Sequence, residues 1–161
     1  MTGNRYRTSN QFSEQWMQAR PGEQFLIRIP SLATYGSYSV TEILSSPGDS
    51  TPVHLHQKED EHILVVEGTA RVLYGEKIFD APAGTMVSLL RGIPHAWGNP
   101  TDIPVRLMVT ATPGGCEEAL RLIATSGDQL DLPAIAAEYA VTHIGPPLLE
   151  VQNMDEPVFV R

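Results

Sequence analysis

The chain is poor in the groups that build several common kinds of site. One of its 161 residues is cysteine, Cys116. A single thiol excludes an intramolecular disulfide framework and any multi-cysteine zinc or iron–sulfur centre, so any bound metal must be held by histidine and carboxylate. No run of about 18 apolar residues occurs, which excludes a membrane-spanning helix, and the polar opening MTGNRYRTSNQ lacks the apolar segment of a secretory signal. Basic residues are also few. Eleven Lys and Arg against nineteen Asp and Glu leave a formal charge of −8, a balance that repels phosphate backbones and anionic membranes. The expectation is a cytoplasmic protein with no nucleic-acid and no membrane partner.

What is present points to β-structure. The length suits one domain, and 42% hydrophobic residues are enough for a core. Thirteen Gly and thirteen Pro punctuate short β-branched and aromatic runs, the pattern of many short strands joined by tight turns. Strands are expected over residues 24–29, 37–44, 51–56, 62–66, 69–74, 77–79, 85–89, 95–98 and 105–111, an even spacing typical of a sandwich or barrel. Helix is confined to the ends. Residues 117–124 and 132–139 use good helix formers, the second with Asp131 as N-cap and Pro133 in its first turn, and a weaker helical pattern covers 13–19. The resulting division is an N-terminal extension (1–22), a barrel (23–115) and a C-terminal helical extension and tail (116–161). Apolar Leu148, Leu149, Val151, Val158, Phe159 and Val160 favour a tail packed on the barrel.

The chemistry concentrates in His54-Leu55-His56-Gln57-Lys58-Glu59-Asp60-Glu61-His62. On a strand, His54 and His56 project from one face, where two imidazoles can share an ion. A turn through 57–60 that returned the next strand antiparallel would let Glu61 face them, and a further strand could add His95. His62, next to Glu61, points to the opposite face. Glu59 and Asp60 read as a solvated turn, though either can reach an imidazole from behind. His143 and Cys116 read as structural. Gly48 and Gly84 fit turns needing positive φ, and Gly68 fits a Glu67-Gly68 hairpin.

These residues resemble the two motifs of the cupin superfamily. Gly48, His54, His56, Glu61 and Gly68 fit the first, G(X)5HXH(X)3,4E(X)6G, and Gly84, Gly92, His95 and Asn99 fit the second, G(X)5PXG(X)2H(X)3N, with Leu90 in place of its proline. The likeness covers roughly residues 25–115 and is to small single-domain, metal-binding, quercetin dioxygenase-like cupins. It implies an all-β double-stranded β-helix or jelly-roll barrel with one divalent transition metal (Fe, Mn, Ni, Co, Cu or Zn) on His54, His56, Glu61 and His95. It also implies Glu61 as a base as well as a ligand, and oxidation of a small flavonol- or enediol-like molecule by dioxygen. Metal-dependent isomerases, lyases and cyclases and non-catalytic small-molecule binders share the pattern. Strand alternation turns Ile63, Val65 and Trp97 inward with the ligands, either as a small-molecule pocket or as barrel filling. Exposed sheet edges, with strand 24–29 well placed for pairing, lead to the expectation of a homodimer.

Overall fold

The computed structural model describes residues 15–127 and 130–151. Eleven strands form two antiparallel sheets packed face to face. One sheet contains β1 (Met17–Arg20), β2 (Glu23–Ile29), β3 (Ser39–Ser45), β5 (Asp60–Glu67), β8 (Met86–Leu89) and β10 (Val105–Thr112), in the order β1-β2-β3-β10-β5-β8. The other contains β4 (Pro52–His56), β6 (Thr69–Tyr74), β7 (Lys77–Pro82), β9 (His95–Gly98) and β11 (Val141–Pro147), in the order β11-β4-β9-β6-β7. Among the described residues α1 (Glu117–Thr125) and α2 (Leu132–Glu138) lie between β10 and β11, and α3 (Leu148–Val151) follows β11. Among the described residues no helix is long and apolar enough to cross a membrane.

The all-β expectation holds, and nine strands fall where the turn signals put them. The core follows from strand alternation. Phe25 and Ile27 of β2, Ile63 and Val65 of β5, Val105, Leu107 and Val109 of β10, and Val72 and Trp97 from the facing sheet meet between the sheets. Val53, Leu73 and Ala96 point the other way, where Leu148 of α3 covers them. The packed tail is therefore seen at Leu148, while Val158, Phe159 and Val160 lie outside the described residues. The hairpin at Gly68 (φ +79°) needs glycine twice over, since a Cβ there would also stand 3.0 Å from the Pro104 carbonyl oxygen. Gly48 and Gly84 have the positive φ expected of them.

The ends depart from the sequence reading. Helix was expected over 13–19, but Met17–Arg20 is strand β1, and residues 13 and 14 lie outside the described ones. Met17 and Ala19 alternate onto the core, and pairing with β2 overrides the helix propensity of the segment. That pairing also corrects the dimer argument, because β2 lies between β1 and β3, and among the described residues β1 is the outermost strand. At the other end β11 joins the second sheet beside β4. Sheet edges therefore do not coincide with divisions at residues 22 and 115. Asp131 caps α2 as expected, accepting the Ala134 N–H at 3.0 Å. The start of α1 is fixed differently: the buried Glu117 carboxylate accepts the N–H groups of Ser31 (2.7 Å) and Gly115 (2.8 Å).

Candidate metal centre

Three strands from both sheets bring the predicted ligands together. His54 and His56 project inward from β4, and β9 pairs with β4 so that His95 stands directly opposite His54. Glu61 comes from β5. The turn through 57–60 does not fold β5 back beside β4, as the sequence reading had it. It carries the chain across to the facing sheet, and Glu61 reaches the imidazoles through the interior. Its Oε2 lies 3.2 Å from His95 Nε2 and 3.7 Å from His56 Nε2. One ligand atom from each of His54, His56, Glu61 and His95 can be chosen so that all lie within 4.8 Å of one another. Two ligands at about 2.2 Å from a shared ion stand at most about 4.4 Å apart, so a small inward movement accommodates one.

The backs of the rings are tied, which fixes where their fronts point. His54 Nδ1 lies 2.7 Å from the Pro52 carbonyl oxygen and His95 Nδ1 2.9 Å from that of Ile93. As N–H donors these nitrogens leave Nε2 unprotonated and free to bind a cation. His56 Nδ1 has instead a loose contact, 3.4 Å to Glu59 Oε2, and neither atom has another hydrogen-bond partner among the described residues. Glu59 is 5% exposed. It is thus a buried carboxylate behind a ligand ring, not part of a solvated turn. Asp60 is the outward acid, and binds the Arg91 backbone N–H (2.8 Å) and guanidinium (3.0 Å), pinning the second motif to β5. The missing motif proline costs little here. Leu90 is exposed and its carbonyl still accepts the Ile93 N–H at 3.3 Å, while the Gly92 N–H reaches the His56 carbonyl at 2.7 Å.

Burial, with His95 and His56 adding to it, pushes His54 down to about 3, so this ring is neutral at any ordinary pH. Burial also works against charge on His56, but Glu61 and Glu59 outweigh it and raise its pKa. Burial would raise Glu61 too; His56 and His95 overcome it, and the carboxyl is held far below its usual range. The donor set is therefore one anion and rings that present lone pairs, a set suited to a first-row divalent ion.

The cluster opens onto a cavity of about 310 Å³. Its wall is largely apolar: Ile43, Trp97 and Val109 from the sheets, Leu120 and Ile123 from α1, Leu132 and Ile135 from α2. Of the three residues expected to line a pocket, Trp97 does so. Ile63 and Val65 face inward but are fully buried in the core and fill the barrel instead. His62 faces outward as expected, 3.0 Å from Ser88 Oγ. Cys116 lines the cavity, and burial, with Glu61 and Glu59 behind it, drives its thiol well above the ordinary range. The thiol is therefore protonated at neutral pH. Sequence reasoning missed the part played by His143, which pairs with His54 across β4 and β11 and whose ring centroid lies 6.2 Å from that of His54, on the cavity wall. The alternation of Val141-Thr142-His143-Ile144 was the available signal. Arg20 and Glu23 also reach the wall, from β1 and β2.

Residues 42–111 match the family model described as the cupin domain. The chain carries a cupin domain. Mannose-1-phosphate guanylyltransferase 2 of Escherichia coli O157:H7 is 31% identical over 71 residues, 44% of this chain, and the match spans only 15% of that enzyme's length. Among solved structures, KdgF from Halomonas sp. superposes with a TM-score of 0.59 at 15% identity, over 65% of this chain and 91% of its own. The polyketide cyclase RemF from Streptomyces resistomycificus gives 0.54 at 21% identity, over 68% and 78%. At these identities the structural likeness is one of fold.

Two outcomes are expected of this candidate metal centre. His54→Ala, His95→Ala and Glu61→Gln each lower bound metal, measured by elemental analysis after purification without chelator, at least about tenfold, whereas His62→Ala leaves it unchanged. Loss through His62→Ala with retention through His95→Ala would overturn the strand register. Acid should also release the ion, because ligand rings must be neutral and an ordinary imidazole protonates near about 6.5. His56, with its raised pKa, takes a proton before His54 as pH falls. In metal-free protein the signs oppose: the lowered pKa of His54 costs stability as pH drops below about 6.5, and the raised pKa of His56 adds stability at low pH that is lost as pH rises through its folded value. In loaded protein the melting temperature falls together with metal content from about pH 8 to pH 5; a flat melting temperature across full metal loss would contradict this.

Proposed function

We propose that this cupin is a metal-dependent enzyme that oxidises a small, largely apolar, flavonol- or enediol-like molecule with dioxygen. The reading is carried by one observation, a largely buried cluster of His54, His56, His95 and Glu61 opening onto a mostly apolar cavity. Fe, Mn, Co, Ni, Cu or Zn suits the donor set, and such an ion would supply Lewis acidity toward a substrate oxygen and, where redox-active, dioxygen chemistry. The chain's own groups do the rest. In this reading Glu61, ionised at neutral pH, takes the proton of an acidic substrate hydroxyl. Apolar side chains of α1 and α2 hold the body of the molecule and keep bulk water away from that proton. Sugar phosphates fit poorly. Arg20 is the single Arg or Lys among the described wall residues, and its guanidinium already faces Glu23 at 2.6 Å and Asp49 at 2.9 Å.

A redox-neutral isomerase, lyase or cyclase is the second reading, favoured by a second proton-carrying group, His143, on the same wall. Oxygen consumption separates the two. With quercetin and simple enediols, metal-loaded protein is expected to take up oxygen, and Glu61→Gln to slow it about 100-fold or more. Turnover under nitrogen would replace this reading with the second, and tight binding without turnover would make the protein a binding module.

Assembly as a homodimer belongs to the same proposal, through β1, the outermost strand of its sheet among the described residues, whose outer backbone groups a second copy would pair. Light scattering at micromolar concentration is expected to give twice the 17.6 kDa chain mass, and a mass of one chain would refute it.

A further inference from the structure

The cavity has a second polar point that the metal reading leaves unused. Across the tight turn between β1 and β2, Arg20 pairs with Glu23 in register. The Arg20 guanidinium is fully engaged: Nη1 lies 2.6 Å from Glu23 Oε2, Nε 2.9 Å from Asp49 Oδ1, and Nη2 3.2 Å from Asp49 Oδ2. Its carbon lies 5.2 Å from the centroid of the Trp97 ring. Asp49 Oδ2 also accepts the Ser45 hydroxyl at 2.7 Å. Every atom of this group is thereby partnered except one. Glu23 is 1% exposed, shares the inward face of β2 with Phe25 and Ile27, lines the cavity, and its Oε1 has no hydrogen-bond partner among the described residues. A buried carboxylate oxygen without a donor is costly, so another role requires it, or a water or ligand in the cavity completes it.

Holding Arg20 does not require Oε1, because Oε2 makes that bond alone. Charge decides what the missing partner is. Two carboxylates share one guanidinium, which leaves one negative charge in excess, and no other Lys or Arg stands on the described wall. We propose that Glu23 Oε1, with Glu23 braced by Arg20, is the docking point for a protonated amine, so that the molecule held in this cavity is a small apolar body carrying an ammonium group. Burial, partly countered by Arg20, pushes the Glu23 carboxyl up to about 7, so the excess negative charge is that of its ionised form, which an ammonium beside Oε1 would favour. The inference adds to the proposed function an amine on the preferred substrate, a group that quercetin and simple enediols lack, and rests on it only in that both points share one cavity.

The test uses the protein as purified, with n-hexylamine, hexan-1-ol and hexanoate at neutral pH as probes and titration calorimetry as readout. Hexylammonium is expected to bind at least about tenfold more tightly than hexanol, and hexanoate more weakly than either. In Glu23→Gln, which keeps an acceptor for Arg20 but removes the charge, the amine-to-alcohol ratio falls to about one while metal content stays unchanged. Equal affinities in the wild type, binding of none of the probes, or an undiminished ratio in Glu23→Gln would each overturn the proposal; the last would show the amine bound elsewhere, as on a metal. Should Glu23→Gln fail to fold, the wild-type ratio decides alone. Amine preference in a protein without metal or turnover would sustain this inference and defeat the proposed function, and the reverse result would do the opposite.

Discussion

Placing His54, His56, His95 and Glu61 together inside an apolar sandwich is the constraint that the neighbouring structure serves. A carboxylate and several imidazoles removed from water are unfavourable unless each polar atom has a partner. The chain meets that requirement from behind, with the Pro52 and Ile93 carbonyls on His54 and His95 and the Glu59 carboxylate near His56. It meets it from the front through the mutual field of Glu61 and the rings, which keeps the acid ionised despite its burial. The pairing of His54 with His95 sets the spacing within one sheet, and the packing of the two sheets sets the distance to Glu61. A slip of one residue in β4 would turn both histidines outward.

Around that cluster the fold divides its labour. Bulky inward residues such as Ile63, Val65 and Leu107 fill one part of the barrel, and the cavity lies where α1 and α2 replace sheet as the wall. The helices are placed by particular bonds. Glu117 ties α1 to Ser31 and Gly115, and Asp131 caps α2. The C-terminal region is therefore part of the site, since it supplies Leu120, Ile123, Ile135 and His143 to the wall. Helices bound the cavity on one side and the ligand-bearing sheet on the other, and the Arg20, Glu23 and Asp49 group adds a strongly polar feature away from the cluster itself.

The ligand set and most strands were legible because their signals are local. Two histidines at alternate positions share a face on any strand, and glycines at Gly48, Gly68 and Gly84 mark turns whatever the surrounding structure. The strand at Met17–Arg20 was not legible, since its residues favour helix in isolation and become strand only against β2. Glu59 was misread for a related reason. Three acids in a row look solvated, and nothing local says that the first turns inward behind His56 while the second turns outward to Arg91.

The sequence by itself determined which side chains can bind a cation, the alternation that puts them on common faces, and the turns that separate the strands, because each depends on the residue and its near neighbours. Only the tertiary structure decided that Glu61 arrives from the opposite sheet, that Ile63 and Val65 fill space while Trp97 borders it, and that Arg20, Glu23 and His143 belong to the same cavity as the ligands. Those facts depend on the order of strands in the sheets and on what packs across them. Contacts between residues distant in sequence are set by the burial of the whole core, and no single segment carries that information.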